Sequence, residues 1–308
     1  MSLAPSVLAG DRLALSRLLT QVENDTSEGR AALSELFAHT GRAHIIGVTG
    51  APGTGKSSLV NQLARYYRRP ANDTPPRRVA IIAVDPSSPF TGGALLGDRV
   101  RMRDLSGDNG VFIRSMASRG SLGGLAAATA GMMQVLDAGG YEMILVETVG
   151  AGQAEVDIAR LAHTTLVIEA PGLGDEIQAI KAGILEIADI LVINKADQPG
   201  AEYAERTLRS MLELAHPVAR IFQPDSHHLL TIDRRPRTGE QGRRQSSADN
   251  SFLWLPPIQQ TVATQGKGIP ELAESITAHR QFLVQSGDWQ QRERVRLRVC
   301  SYTVTMMK

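Results

Sequence analysis

The sequence predicts an α/β fold built around a mostly parallel β-sheet with helices on both faces. The chain has 308 residues, 42% of them hydrophobic, which is enough for one large domain with a buried core. Between residues 44 and 194, short apolar runs alternate with segments of helical spacing, which is the pattern of βαβ units. Polar motifs follow several of these runs, at the carboxyl ends of strands where open parallel sheets bind ligands.

Seven apolar runs are predicted as strands. They are His44–Val48, Val79–Val84, Val111–Arg114, Met143–Glu147, Thr165–Ile168, Ile190–Ile193 and, as a last strand, Ile258–Val262. Their length and their content of Val, Ile and Leu favour strands over buried helices.

The segments outside the sheet are predicted from helical spacing and loop composition. Residues 6–40 carry Leu and Ala at helical intervals, interrupted around Asn24–Glu28, which predicts two amphipathic helices packed outside the sheet. A further helix is predicted over Glu271–Val284, and a short loop over Pro70–Arg78. The arginine-rich segment Pro224–Ser251 is typical of a solvated, partly disordered insertion, and an anionic docking loop is the alternative.

These boundaries divide the chain into four parts. Residues 1–41 are predicted to form an N-terminal helical extension, and residues 42–223 together with 252–270 to form the main α/β domain. Residues 224–251 form the arginine-rich flexible insertion, and residues 271–308 a C-terminal helix and tail.

Composition excludes several classes of protein. The net charge is +1, from 33 basic and 32 acidic residues, so there is no electrostatic case for a nucleic-acid or anionic-membrane partner. No apolar run approaches the roughly 18 residues of a membrane span, and the N-terminal segment reads as a helix instead of a signal peptide. Cys300 is the single cysteine, which favours a reducing compartment, and the cytoplasm is the expected location.

A phosphate-binding loop is predicted directly after the first strand. Its residues are Gly50, Ala51, Pro52, Gly53, Thr54, Gly55, Lys56, Ser57 and Ser58. They match G-x-x-x-x-G-K-[ST] in a strand-loop-helix context, where glycines and the helix N-terminus turn backbone N–H groups toward phosphates. Lys56 is predicted to reach the β- and γ-phosphates as a catalytic cation, and Ser57 to bind Mg²⁺. The fold class is therefore that of a P-loop nucleotide hydrolase.

A guanine-reading motif is predicted after the sixth strand. Asn194, Lys195 and Asp197 form N-K-x-D at the end of the run Ile190–Ile193. An aspartate can accept hydrogen bonds from both guanine donors, N1 and N2, which adenine cannot supply, and the stem of Lys195 would stack on the base. The alternative is a polar helix cap. Together with the phosphate loop, the motif predicts a GTPase.

Acidic residues at or beyond strand ends are predicted to hold the metal ion. Asp85 and Glu147 end the second and fourth strands, and Asp98 follows a glycine-rich segment. Carboxylates at neighbouring strand ends converge on one crevice, and Mg²⁺ prefers oxygen ligands. In Glu147-x-x-Gly150 the glycine N–H is predicted to sense the γ-phosphate. The alternatives are a turn-forming aspartate for Asp85 and an exposed helix start for Asp98.

Two further residues are candidates for catalysis. Lys181 follows the fifth strand on a predicted loop-helix segment and could supply transition-state charge as an arginine finger does. A surface lysine on an amphipathic helix is the alternative. Gln153 could orient the attacking water, and an exposed polar residue is its alternative.

Several blocks together resemble the MeaB/ArgK family of P-loop GTPases, also labelled LAO/AO transport system kinases, which are chaperones of cobalamin-dependent acyl-CoA mutases. The matching stretches are 47–59 (GVTGAPGTGKSSL), 84–102, 118–125, 146–159 (VETVGAGQAEVDIA), 174–197 and 254–269. The resemblance covers about residues 8–288.

The resemblance implies a fold of the SIMIBI class and a GTP cycle that gates adenosylcobalamin loading onto a methylmalonyl-CoA mutase-like partner. It implies Mg²⁺ near Ser57, Asp85, Asp98 and Glu147, and guanine beside Thr261, Val262 and Ala263. Residues 174–187 would be a switch with Lys181 as its catalytic cation. Relatives are mostly homodimers, but residues 292–308 do not match the family's C-terminal arm, so a shortened or replaced helical tail is predicted.

Three other functions stay open from the residues. A nickel-delivering GTPase would carry Cys and His ligands, and this chain has one Cys and seven His, which disfavours that class. A transporter-associated ATPase or kinase is disfavoured because the protein-kinase Gly-rich loop and H-R-D motif are missing from the sequence. A nucleotide-gated binding module with negligible turnover is compatible with the same motifs.

Overall fold

The computed structural model describes residues 2–70, 74–86, 102, 104–105, 107–118, 122–148, 153–172, 184–215 and 253–305. Within these residues, seven strands form one sheet in the order β3-β2-β4-β1-β5-β6-β7. The strands are β1 (His44–Gly50), β2 (Val79–Pro86), β3 (Val111–Ser118), β4 (Met143–Glu147), β5 (Thr164–Glu169), β6 (Ile190–Ile193) and β7 (Ile258–Gln260). Every neighbouring pair is parallel, so all carboxyl ends lie along one edge. The predicted α/β class is confirmed.

Helices cover both faces of the sheet, which gives a three-layer architecture. Among the described residues the α-helices are α1 (Ala4–Leu8), α2 (Arg12–Glu23), α3 (Ser27–Leu36), α4 (Lys56–Arg68), α5 (Leu122–Ala138), α6 (Gln153–Leu161), α7 (Ile184–Ile187), α8 (Ala201–Ala215), α9 (Ile269–Ser286) and α10 (Asp288–Thr305). Short 3₁₀ helices span Phe37–His39 and Ala263–Gln265. Helices α4 and α9 share one core with the central strands, and α5 and α6 share the core on the opposite face. Helix α8 packs on β5 and β6.

The N-terminal extension covers the outer side of α5. Helix α5 is mostly apolar, and its polar residues Thr129, Gln134 and Asp137 are buried as well, so the helix needs cover on more than one side. Helices α2 and α3 supply the second cover, and they approach so closely that a Cβ at Gly131 would lie 2.7 Å from Val22 Cγ1. The sequence predicts two helices here and the structure has three, because Pro5 starts the separate helix α1 and Asp11 caps α2.

Five strands end at residues other than those predicted: β1, β2, β3 and β5 extend further, to Gly50, Pro86, Ser118 and Glu169, and β7 is shorter. Strand β3 continues past Arg114 to Ser118, because it stays paired with β2 as far as the pair Pro86 and Ser118. Strand β7 ends at Gln260, two residues before the predicted end. The chain turns there because Val262 forms an isolated antiparallel bridge with Lys267.

The C-terminal residues predicted as a tail contain a second helix, α10. The helix docks at the amino ends of β5 and β6, where Trp289 stacks on His163 with ring centroids 3.9 Å apart. Arg292 makes two hydrogen bonds to the Asp189 carboxylate, at 2.7 and 2.8 Å. These contacts are polar and aromatic instead of an apolar stripe, which explains why helical periodicity does not give the bounds of this helix within the predicted helical tail.

Candidate functional site

The loop after β1 has the tight curl that phosphate binding requires. Gly50 ends β1 with φ +136°, and a Cβ there would lie 2.1 Å from the Ile168 carbonyl oxygen of β5. Gly55 precedes α4 with φ +91°, and a Cβ there would lie 2.4 Å from Asn194 Nδ2. Backbone geometry and space therefore both demand glycine at these two positions. The predicted strand-loop-helix context is present.

Lys56, the first residue of α4, turns back across the mouth of the loop. Its ammonium donates hydrogen bonds to the carbonyl oxygens of Gly50, at 2.8 Å, and Ala51, at 2.9 Å. The side chain is buried, and it lies at a helix N-terminus whose backbone N–H groups carry partial positive charge. The charge of Lys56 and the helix end together favour a bound anion.

Ser57 and Glu147 meet at the centre of the carboxyl edge. The Ser57 hydroxyl donates a hydrogen bond of 2.6 Å to Glu147 Oε1. Adjacent strands cause this meeting, since Val48 of β1 is paired with Glu147 of β4, and β1 leads directly into the loop. A hydroxyl and a carboxylate oxygen at this spacing are donors of the type that Mg²⁺ prefers.

The other predicted metal and switch residues are placed only in part. The backbone of Asp85 lies near the carboxyl end of β2, beside β4, whose Glu147 is paired with Ala83. Gln153 begins α6. The side chains of Asp85 and Gln153 lie outside the described part of the structure. Other residues predicted to belong to the site or to an insertion also lie outside it: Asp98, Gly150, Lys181, residues 174–183 and the insertion 224–251.

Asn194 joins the loop to the other segments predicted to contact the base. Its side chain is 2% exposed, and Nδ2 donates to the Thr54 carbonyl oxygen at 2.8 Å. Oδ1 accepts from the Thr261 hydroxyl and from the Ala263 N–H, both at 3.1 Å. Asn194 is therefore a bridge between the phosphate loop and residues 261–263, a role that the motif alone does not reveal.

The rest of the N-K-x-D motif faces outward beside this bridge. Lys195 has φ +56°, in the left-handed region that non-glycine residues rarely adopt, and its side chain is half-buried. Asp197 is exposed. Backbone hydrogen bonds from Ala196 N–H to Thr261 O and from Thr261 N–H to Ile193 O hold the motif against the end of β7. The structure thus brings the loop of residues 50–58, residues 194–197 and residues 261–263 together at the carboxyl edge of the sheet.

Two residues beside the site escape sequence analysis. The hydroxyls of Thr49 and Thr148 are 3.1 Å apart, at the ends of β1 and β4. Threonine is an ordinary strand residue. The signal that could have found the pair is its position, one residue before Gly50 and one residue after Glu147.

Similarity to known proteins extends over most of the chain. Residues 15–308 match the family described as Methylmalonyl Co-A mutase-associated GTPase MeaB. A Pyrococcus horikoshii protein assigned as a GTPase is 47% identical over 290 residues, which cover 94% of this chain and 80% of that protein. The Mus musculus methylmalonic aciduria type A homolog is 32% identical over 243 residues, covering 79% of this chain and 50% of that protein.

A solved structure has the same architecture. The crystal structure of an LAO/AO transport system kinase superposes with a TM-score of 0.66 and 25% identity, and the match covers 99% of this chain and 82% of that one. Among the described residues, none of the helices has the length and apolar composition of a membrane span. The family match over residues 15–308 and the similarity to the Pyrococcus horikoshii protein show that the chain belongs to the MeaB family and is a GTPase. Membership of this family implies a bound guanine nucleotide.

Proposed function

We propose that this GTPase uses its nucleotide cycle as a chaperone that gates cofactor loading and protection of an adenosylcobalamin-dependent acyl-CoA mutase. The observation that carries the proposal is the match of residues 15–308 to a family described as methylmalonyl-CoA mutase-associated. The similarity to the mouse methylmalonic aciduria type A homolog points in the same direction. The proposal places the chain in the cytoplasm and includes a homodimer, which sedimentation of the purified protein tests.

The phosphate-binding part of the proposal is assigned to residues 50–58. Lys56 already uses its ammonium to bind the start of the loop, at Gly50 and Ala51, which holds the charge where the β- and γ-phosphates would lie. The backbone N–H groups of the loop and of the first turn of α4 supply the remaining donors. Removing the Lys56 charge would leave phosphate charge unneutralised and so weaken both binding and turnover.

The magnesium-binding part is assigned to Ser57 and Glu147, with Asp85 and Asp98 as further proposed ligands. The 2.6 Å contact between the Ser57 hydroxyl and Glu147 is the observation that supports the fit. A site with few protein ligands is usual for Mg²⁺ in nucleotide enzymes, because phosphates and water complete the shell. When bound, the cation supplies positive charge that neutralises the phosphate oxygens.

The guanine-binding part is assigned to Lys195, Asp197 and residues 261–263. Asp197 is exposed and is proposed to accept from the two guanine donors, and the stem of half-buried Lys195 is proposed to stack on the base. Asn194 holds residues 261–263 against the phosphate loop through the hydrogen bonds described above. A nucleotide would therefore meet a base site and a phosphate site that are fixed relative to each other.

Hydrolysis is proposed to proceed by in-line attack of water on the γ-phosphate. Little general-base catalysis is needed for a loose transition state, so charge and orientation dominate. Gly150 is proposed to sense the γ-phosphate, and Gln153, at the start of α6, to orient the water. Residues 174–187 are proposed as the switch that brings Lys181 to the phosphates when the mutase binds.

Reconstitution with a partner tests this proposal. The purified chain is mixed with a methylmalonyl-CoA mutase from the same genome, and GTP hydrolysis and adenosylcobalamin transfer are measured with and without the mutase. We expect the mutase to stimulate hydrolysis, and we expect transfer to depend on the nucleotide. Lys181→Ala should abolish the stimulation and leave GTP affinity unchanged, whereas Arg206→Ala, an exposed cation on α8, should behave as the wild type. If the mutase neither stimulates GTP hydrolysis nor receives adenosylcobalamin in a nucleotide-dependent manner, the chaperone function is refuted.

A further inference from the structure

A buried pair of threonine hydroxyls joins the two central strands at the nucleotide edge. Thr49 is 0% exposed and Thr148 is 1% exposed. The Thr148 hydroxyl donates a hydrogen bond of 3.1 Å to the Thr49 hydroxyl, and the Thr148 N–H donates to the Val48 carbonyl oxygen at 3.0 Å. The pair thus extends the β1–β4 ladder by one step beyond the last strand pair, Val48 and Glu147.

Packing alone does not account for these hydroxyls. Side chains alternate along a strand, so Thr49 and Thr148 continue the rows of Ile45 and Val146, which belong to the apolar core on the α5 and α6 face. Valine has the same branched shape and would fill this space without a polar atom. A buried hydroxyl is costly unless it is hydrogen-bonded, and here each hydroxyl has the other as its partner.

The position of the pair connects it to the magnesium ligands proposed above. Glu147 lies directly before Thr148, and its side chain points to the opposite face, where Oε1 accepts from Ser57. Thr49 lies directly before Gly50, where the phosphate loop begins. Fixing Thr148 to Thr49 therefore fixes the backbone that carries the Glu147 carboxylate relative to the loop that carries Ser57.

We propose that Thr49 and Thr148 are positioning residues that set the Glu147 carboxylate against Ser57 and thereby strengthen Mg²⁺ binding at the nucleotide site. The proposal rests on the proposed function, in which Ser57 and Glu147 hold the cation. The threonines themselves touch neither the cation nor the nucleotide; they act through the backbone on either side of the strand ends.

The test measures how the affinity for GDP depends on Mg²⁺. GDP binding to the full chain is followed by calorimetry in EDTA and across a Mg²⁺ titration, for the wild type, Thr148→Val, Thr148→Ser and Thr49→Val. The Mg²⁺ midpoint is the Mg²⁺ concentration at which half of the increase in GDP affinity is reached. In both valine variants we expect this midpoint to rise roughly three- to tenfold, the range that one intramolecular hydrogen bond supports. The affinity of each variant for GDP in EDTA should stay within about twofold of the wild-type value. Thr148→Ser, which keeps the hydroxyl, should restore the wild-type midpoint.

Two controls separate positioning from general weakening of the fold. Thr164→Val removes another buried threonine hydroxyl, which contacts His44 and His279 at the opposite edge of the sheet. It should lower the melting temperature without changing the Mg²⁺ midpoint. The double variant Thr49→Val with Thr148→Val should raise the Mg²⁺ midpoint no further than either single variant, because all three variants lose the same hydrogen bond.

The outcomes are distinguishable. A wild-type midpoint in folded Thr148→Val or Thr49→Val would overturn the proposal, as would an equal shift in Thr164→Val. If one valine variant does not fold, the other tests the same bond. Failure of the proposed magnesium site itself has a different signature, since Ser57→Ala and Glu147→Gln would then also leave the Mg²⁺ dependence unchanged.

Discussion

A single amide at the end of β6 joins loops that are distant in the sequence. Asn194 donates to Thr54 in the phosphate loop and accepts from Thr261 and Ala263 after β7. The N-K-x-D spacing predicts that the residue belongs to the site, but it cannot show which atoms the amide contacts, because its partners lie more than a hundred residues before it and about seventy after it. The side chain therefore connects the segment proposed to contact the base with the loop proposed to bind the phosphates.

Replacing this amide should weaken both the fold and the site. Asn194→Ala leaves the Thr54 carbonyl and the Ala263 N–H without their present partner, which costs about 1–3 kcal/mol for buried groups. We expect a lower melting temperature and GDP affinity reduced by about tenfold or more in calorimetry. Gln198→Ala, an exposed neighbour, should match the wild type in both measurements. Wild-type GDP affinity in Asn194→Ala would show that the bridge does not shape the site.

The glycines of the loop give a second prediction at this scale. Gly53 and Gly55 both have positive φ, +81° and +91°, but only a Cβ at Gly55 meets another atom, Asn194 Nδ2 at 2.4 Å. Gly55→Ala should therefore abolish measurable GDP binding by displacing the amide. Gly53→Ala carries backbone strain of about 1 kcal/mol without a clash, so it should weaken binding less. Equal losses of GDP affinity in the two variants, measured by calorimetry, would show that the contact between Gly55 and Asn194 is not what makes Gly55 necessary.

At the scale of elements, helix α10 is fixed by a buried polar cluster at the amino edge of the sheet. Arg292 binds Asp189 and also donates to the His163 carbonyl oxygen at 2.8 Å. Burial raises the pKa of Asp189, but hydrogen bonds from His279 and Arg292 outweigh burial and bring this pKa down to about 2. The carboxylate thus stays charged at neutral pH, and the helix depends on an ion pair more than on an apolar stripe.

Breaking this ion pair should release α10. Arg292→Ala leaves a buried carboxylate without its main cation, and we expect it to lower the free energy of unfolding by about 2–4 kcal/mol, at the low end of buried pairs because Arg292 is partly exposed. Arg294→Ala removes an exposed arginine from the same helix and should change stability by less than about 0.5 kcal/mol. Chemical denaturation measures both variants, and equal stabilities would refute the anchoring role.

Elements were predictable where their signal is local. Alternating apolar runs locate β4 and β6 at their observed bounds, because buried parallel strands are continuously apolar. The bounds of helix α10 within the predicted helical tail and the end of β3 were not predictable, since each depends on a partner from elsewhere in the chain. For α10 the partners are His163 and Asp189, and for β3 the partner is β2.

At the scale of the whole molecule, the sheet separates two polar centres. The proposed nucleotide site lies at the carboxyl edge, and a histidine chain lies at the amino edge, where His44 and His279 contact the Thr164 hydroxyl at 2.7 and 2.9 Å. Burial lowers the pKa of His44 well below its ordinary 6.5, and charge repulsion from a protonated His163 and from Arg280 lowers it further. The strand order could not be predicted from the sequence, so neither could this clustering of distant histidines.

This clustering predicts loss of stability in mild acid. The folded state keeps His44 neutral while the unfolded chain binds a proton near pH 6.5, so stability is present above that pH and falls below it. At one pH unit below 6.5, a single histidine lowers the free energy of unfolding by at most about 1.4 kcal/mol. His44→Gln keeps a polar group near Thr164 without titrating, and it should flatten the dependence of the melting temperature on pH. An unchanged pH dependence in that variant would contradict the assignment to His44.

Calorimetric binding of GDP and ADP, each with Mg²⁺, to the wild type and to Asp197→Ala tests whether the proposed nucleotide site selects guanine. We expect the wild type to bind GDP at least about tenfold more tightly than ADP, a difference of about 1.4 kcal/mol, and Asp197→Ala to lose this preference. Equal affinity for ADP in the wild type, or a preference that survives in Asp197→Ala, would contradict the assignment of the base site to residues 194–197 and 261–263.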